Sequence, residues 1–75
     1  MLGGDMTTEF FVAANLSSGM LVRLERTRKG LRQADVARLA GVTQSEVSAL
    51  ERGRYVIPGV RRSIYRALEL DVSDP

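Results

Sequence analysis

Residues 33–53 read QADVARLAGVTQSEVSALERG and predict two short helices joined by a tight turn. Val36 and Ala37 give the first helix a small apolar face, and Val47 and Leu50 give one to the second. Gly41 stands between these faces at the spacing of a turn. The hydroxyl of Thr43, two positions after this glycine, is placed to cap the second helix. We therefore expect two helices that cross closely without a large core.

Further helices are predicted on both sides of this pair. One covers about residues 19–29, capped by Ser17 or Ser18 and ended by Gly30. Its apolar stripe consists of Leu21, Val22 and Leu24. Another covers about residues 59–70, where an apolar residue recurs every four positions. Helices this short are marginal alone, so we expect all four to share a core made of Val22, Leu31, Val36, Ala37, Val47, Leu50, Ile64 and Leu68.

Positive charge is concentrated in the middle of the chain. All 11 lysines and arginines lie within residues 23–66, where four acids oppose them and leave a net charge of +7. The remaining five acids lie in the flanks. A basic centre with acidic ends suits a polyanion such as nucleic acid. On charge alone, an arginine-rich solvated surface explains the pattern equally well.

Composition argues against several other classes of protein. The 75 residues include neither cysteine nor histidine, so thiolate nucleophiles, disulfides and the commonest metal ligands are missing. We expect no enzyme, no metal, no cofactor and no small-molecule substrate. No apolar run approaches the roughly 18 to 20 residues that span a bilayer, and no signal peptide is indicated. A cytoplasmic protein, nucleoid-associated when bound to DNA, is the expectation.

The predicted helices divide the chain into three parts. Residues 18–70 form the helical domain, and residues 71–75 a flexible tail. Residues 1–17 form an N-terminal extension whose apolar cluster fits either a strand or a helical turn. The cluster centres on Phe10, Phe11 and Val12.

Several short motifs together resemble one known family. They are Gly30-Leu31-x-Gln33, Val36-Ala37, Ala40-Gly41-Val42-Thr43-Gln44-Ser45, Val47-Ser48 and Leu50-Glu51-Arg52-Gly53. Over about residues 22–70 the chain resembles the phage repressor and Cro type of helix-turn-helix domain, the XRE family. The resemblance implies an all-α, lambda-repressor-like bundle of four or five helices. It also implies binding of double-stranded DNA as a homodimer, with the third helix, about residues 44–52, in the major groove.

Carried over by position, the resemblance implies a set of DNA contacts. The base-reading residues are Gln44, Ser45 and Ala49, with Ser48 and Glu46 beside them. The DNA-backbone residues are Gln33, Thr43, Arg54, Tyr55, Arg52, Arg32 and Arg38. Gln44 also has merit of its own, because its amide can bond adenine N6 and N7 together. Glu46 has an alternative role at the positive N-terminus of its own helix, and Gln33 and the arginines have the alternative of simple solvation.

The resemblance further implies a structural ion pair between Arg26 and Glu51. Both residues fall on faces otherwise directed inward, where an unpaired charge is costly. Arg32 departs from the family pattern, because a serine, threonine or asparagine cap is usual at its position.

Two functions remain open at this stage. One is a sequence-specific transcriptional regulator, a repressor, that binds a palindromic operator as a homodimer. The other is a protein-interaction module, an antitoxin or adaptor, that docks a protein partner through the segment at Phe10, Phe11 and Val12. The same segment is a candidate dimer surface.

Overall fold

The computed structural model describes residues 17–70, which form four α-helices and no strand. The helices are α1 (Ser18–Arg28), α2 (Gln33–Ala40), α3 (Gln44–Glu51) and α4 (Pro58–Ala67). This order confirms the predicted all-α fold. In the described part of the chain, no helix has the length and apolar character needed to cross a membrane. The predictions for Phe10, Phe11, Val12 and residues 71–75 lie outside the described residues.

Glycines end the first three helices or the turns that follow them. Gly30, Gly41 and Gly53 have φ angles of 73°, 71° and 79°, a left-handed conformation that glycine adopts without strain. At the other end of α1, Ser17 is the cap, since its hydroxyl accepts a hydrogen bond from the Met20 amide. The turn signals in the sequence therefore set the loops between the helices.

The core contains seven of the eight residues that the sequence predicts. Leu31 is half-buried against its edge instead, while Val56 and Tyr65 are buried and were not predicted. The apolar stripe predicted for α1 is wrong in one part, because Leu24 lies 56% exposed. It lies two positions after Val22, which faces the core, and two positions in a helix span more than half a turn.

The third helix is the centre of the packing. It contacts α1, α2 and α4, and α2 also packs on α4. α4 ends three residues earlier than predicted, because Glu69 takes a left-handed conformation and the Leu70 amide bonds back to the Tyr65 carbonyl. With its inner faces covered, α3 has one side left open to solvent.

Candidate nucleic-acid interface

A reciprocal capping box fixes the start of α3. The Thr43 hydroxyl accepts from the Glu46 amide at 3.1 Å, and the Glu46 carboxylate accepts from the Thr43 amide at 2.9 Å. These bonds satisfy two donors that a helix start otherwise leaves unpaired. The Glu46 carboxylate is thus engaged in its own helix. Gln44 and Ser45, between these two residues, are exposed in the first turn.

One flank of α3 lines an open groove that we call the polar groove. Its residues are Gln33, Gln44, Ser45, Ser48, Ala49, Arg52 and Arg54. Six of these seven side chains carry hydrogen-bonding groups. The groove therefore brings together four of the five predicted base-reading residues and three of the predicted backbone contacts.

A part-buried network joins Gln33, which lines this groove, to α1. The Glu51 carboxylate accepts from Arg26 Nε at 2.6 Å, from Arg26 Nη2 at 3.1 Å and from Gln33 Nε2 at 3.1 Å. Arg26 Nη1 also donates to the Leu31 carbonyl at 2.9 Å. The bond with Glu51 raises the pKa of Arg26 above its ordinary value. The network holds α1, α2 and the end of α3 in one arrangement and ties the Gln33 amide to it.

The loop after α3 is anchored at both of its ends. The Arg54 amide donates to the Ala49 carbonyl at 2.8 Å, and the Val56 side chain is buried in the core. Tyr55 and Ile57, on either side of the buried Val56, are 79% and 57% exposed. They line a second groove on the other flank of α3, which we call the apolar groove: Ser45, Glu46, Ala49, Tyr55, Val56 and Ile57.

Three predicted backbone contacts line neither groove: Thr43, the N-cap of α3, and Arg32 and Arg38. Arg32 and Arg38, at the two ends of α2, each form an ion pair with Asp35, with N–O distances of 3.2 and 2.6 Å. Hydrogen bonds from the Arg32 side chain and backbone lower the pKa of Asp35 from its ordinary 3.8 to about 2. Asp35 also accepts from the Arg32 amide, which is one half of a capping box. The other half is missing, because the Arg32 side chain has no acceptor for the Asp35 amide.

The pattern of ion pairs leaves the positive charge near α3 unneutralised. Every ion pair among the described residues involves one of four acids: Glu25, Asp35, Glu51 and Glu69. Their basic partners are Arg26, Arg28, Lys29, Arg32 and Arg38. Within residues 17–70, Arg52 and Arg54 form no ion pair, and both are exposed at the polar groove. The polar groove thus carries two arginines whose charge no described acidic side chain neutralises.

Sequence reasoning missed two features of this surface. Ile57 was not singled out, because its exposure depends on the path of the loop after α3, which no local sequence pattern gives. The bond between Gln33 and Glu51 was also missed, because the two residues are 18 positions apart and no local pattern connects them. Within residues 17–70, no three acidic side chains lie close enough together to hold a metal ion.

Comparison with known protein families matches residues 19–74 to the family described as a helix-turn-helix domain. The match covers most of the chain, including α2, the turn at Gly41 and α3 in full. No curated protein and no solved structure matches the chain.

Proposed function

The chain belongs to the helix-turn-helix domain family, and from this premise we propose that it is a sequence-specific repressor. In this proposal it binds a palindromic operator as a homodimer, with α3 in the major groove, and is not an enzyme. The polar groove is the observation that carries the proposal. The exposed side chain of Gln44 lines the same groove as Arg52 and Arg54, which have no acidic partner among the described residues.

The groove holds both kinds of group that DNA recognition requires. Arginines fix a protein on the phosphates without reading sequence, while side-chain amides read base edges. Gln44 reads an adenine through N6 and N7, and Ser45 and Ser48 add less selective hydrogen bonds. Arg52 and Arg54 hold the sugar–phosphate backbone. Thr43 contributes its hydroxyl hydrogen, since the oxygen already serves as the cap.

The homodimer follows from the small size of this surface. One copy offers a single short recognition helix, whereas two copies on half-sites about 34 Å apart double the contacts. The apolar segment at Phe10 and Phe11 is the proposed dimer contact. Replacing both with serine and measuring the mass in solution tests it, since an unchanged dimer rules the segment out.

Selection of bound duplexes from a random DNA pool tests the function as a whole. A palindromic consensus is the expected result. Affinity for that consensus should fall as salt rises, with a log–log slope of about −0.9 per phosphate contacted. Failure to enrich any sequence, or an affinity that ignores salt, contradicts the proposal and favours a protein-interaction module.

Two variants separate base reading from backbone binding. Gln44→Ala should weaken binding to the consensus by about 1–3 kcal/mol and leave binding to unrelated DNA nearly unchanged. Arg54→Ala, its matched control in the same groove, should weaken both alike and reduce the salt slope by about 1. If Gln44→Ala binds the consensus as tightly as the wild type, α3 does not read DNA in this register.

A further inference from the structure

The outer side of α1 carries a groove that the function proposed above does not use. It is lined by Met20, Arg23, Leu24 and Thr27, and we call it the α1 groove. Met20 and Leu24 are four positions apart, so they lie on the same side of the helix, and they are 52% and 56% exposed. Two large apolar side chains that adjoin in one groove, rather than being scattered singly, mark a contact surface.

The charge in the α1 groove indicates what lies beside this contact. Arg23 is the one charged residue among the four that line the groove, and within residues 17–70 it forms no ion pair. The three basic residues that follow it, Arg26, Arg28 and Lys29, each pair with an acidic side chain. The occupant that satisfies the groove is therefore an apolar segment with an acidic residue beside it.

The chain itself supplies a segment of this composition. Residues 9–12 read EFFV, an acidic residue followed by three apolar ones. The segment ends five positions before Ser17, the N-cap of α1. Five residues in extended form reach about 18 Å, whereas Leu24 lies about 10 Å along the helix from Ser17. The link is thus long enough to bring residues 9–12 alongside an α1 groove.

A dimer offers this segment two such grooves, that of its own chain and that of the second copy. In the proposed function, on which this inference rests, Phe10 and Phe11 hold the dimer together. They cannot do so while they cover their own helix. We therefore propose that residues 9–12 of each copy bind the α1 groove of the other copy.

Exchange of segments gives the dimer two identical contacts, related by a two-fold axis. In each contact the two phenylalanines pack on Met20 and Leu24, and Glu9 faces Arg23. Because both contacts join the same two molecules, formation of the first makes the second intramolecular. The pair therefore holds more tightly than one contact alone.

Leu24→Ser tests the acceptor side of this contact without touching the core, since Leu24 is exposed. The dissociation constant of the dimer, measured by analytical ultracentrifugation, should rise at least about tenfold, because each of the two contacts loses a buried apolar side chain. Leu39→Ser is the matched control. It changes an exposed leucine of α2 outside the α1 groove and should leave the dissociation constant unchanged.

A charge exchange separates binding between copies from binding within one chain. Glu9→Arg and Arg23→Glu each place like charges in both contacts of a dimer, so each variant alone should self-associate about tenfold more weakly. A mixture of the two variants again sets an arginine against a glutamate in both contacts. A heterodimer should then form with an affinity close to that of the wild type. If mixing restores no association, the segment does not bind between copies and the inference is overturned.

Failure of the inference and failure of the proposed function give different results. A dimer that persists unchanged in Leu24→Ser overturns the inference, while the proposed homodimer stands. A monomeric wild-type protein overturns both. If Leu24→Ser disrupts the dimer but no DNA sequence is selected from the random pool, the contact between copies stands and the repressor function fails.

Discussion

Gly19 of α1 and Leu50 of α3 meet backbone to backbone. A Cβ atom on Gly19 would overlap the Leu50 carbonyl oxygen and lie 3.0 Å from the Glu51 carbonyl oxygen. The absence of a side chain at Gly19 thus sets how closely α1 approaches the C-terminal turn of α3. Glu51, which accepts from Arg26 and Gln33, lies in that same turn.

Gly19→Ala should lower the free energy of unfolding by about 1–3 kcal/mol, because a clash with backbone atoms cannot be relieved by a rotamer change. Alanine also has a higher helix propensity than glycine, by about 1 kcal/mol, but this gain offsets only part of the cost of the clash. Urea denaturation measures the difference. Gly59→Ala is the control, since nothing lies within 4 Å of a Cβ placed there, and it should leave stability unchanged or slightly higher.

Removing one partner of the ion pair between Arg26 and Glu51 should destabilise the fold more than replacing both partners. The two side chains are 16% and 5% exposed, so Glu51→Ala leaves a cation largely shielded from water. We expect a loss of about 3–5 kcal/mol. The double variant Arg26→Met with Glu51→Leu should recover most of it, because apolar residues of similar size carry no desolvation cost. A loss below about 1 kcal/mol for Glu51→Ala in urea denaturation would show that the pair is not structural.

The sequence indicates local features well and distant contacts poorly. Gly30, Gly41 and Thr43 act within one or two turns, and each could be read from its neighbours in the chain. The close approach at Gly19 could not, because its partner Leu50 is 31 positions away and glycine carries no hydrophobic pattern. Val56 was missed for a similar reason, since it lies in a loop where periodicity gives no signal.

The site shows the same division between local and distant features. Gln44, Ser45 and the arginines follow from family resemblance and residue chemistry, and the structure places most of them in the polar groove. The apolar groove depends on where the loop after α3 folds back. That path is set by the buried side chain of Val56 and by a backbone bond, neither of which appears in a sequence motif.

Glu69 ends α4 in a conformation that glycine adopts at the other turns. Its φ is 58°, and the Leu70 amide closes the turn on the Tyr65 carbonyl at 2.8 Å. A non-glycine residue pays about 1 kcal/mol for this conformation. Glu69→Gly should therefore raise the thermal midpoint, despite loss of the exposed ion pair with Lys29. Glu69→Ala keeps the strain without the ion pair and should show no such gain.

Asp35 should titrate well below an ordinary aspartate. Arg32 holds its pKa at about 2 in the folded state, against 3.8 ordinarily. Because the folded-state pKa is the lower one, Asp35 stabilises the fold fully above about pH 4, and this contribution is lost as pH falls toward 2. The carboxyl carbon shift of Asp35, followed by NMR, should give the midpoint. In Asp35→Asn the acid-dependent part of the stability should shrink over the same window, and a midpoint near 3.8 would contradict the interaction with Arg32.

Glu46→Gln should distinguish helix capping from base reading at that position. Glutamine can accept from the Thr43 amide as glutamate does, so the free energy of unfolding should fall by only about 0.5 kcal/mol, the loss of a favourable charge at a helix N-terminus. In the proposed complex this variant removes a negative charge near the DNA phosphates, so affinity for DNA of any sequence should rise about two- to fivefold at low salt.

The Thr43→Ala variant is the matched control for the cap. It removes the other half of the same capping box and should cost about 1 kcal/mol of stability. Random-pool selection with Glu46→Gln should return the wild-type consensus, because the glutamate carboxylate accepts a hydrogen bond within its own helix and we expect no base contact from it. A consensus that changes at a cytosine would instead identify Glu46 as an acceptor for the cytosine N4 amino group, and the capping box would then have to open when DNA binds.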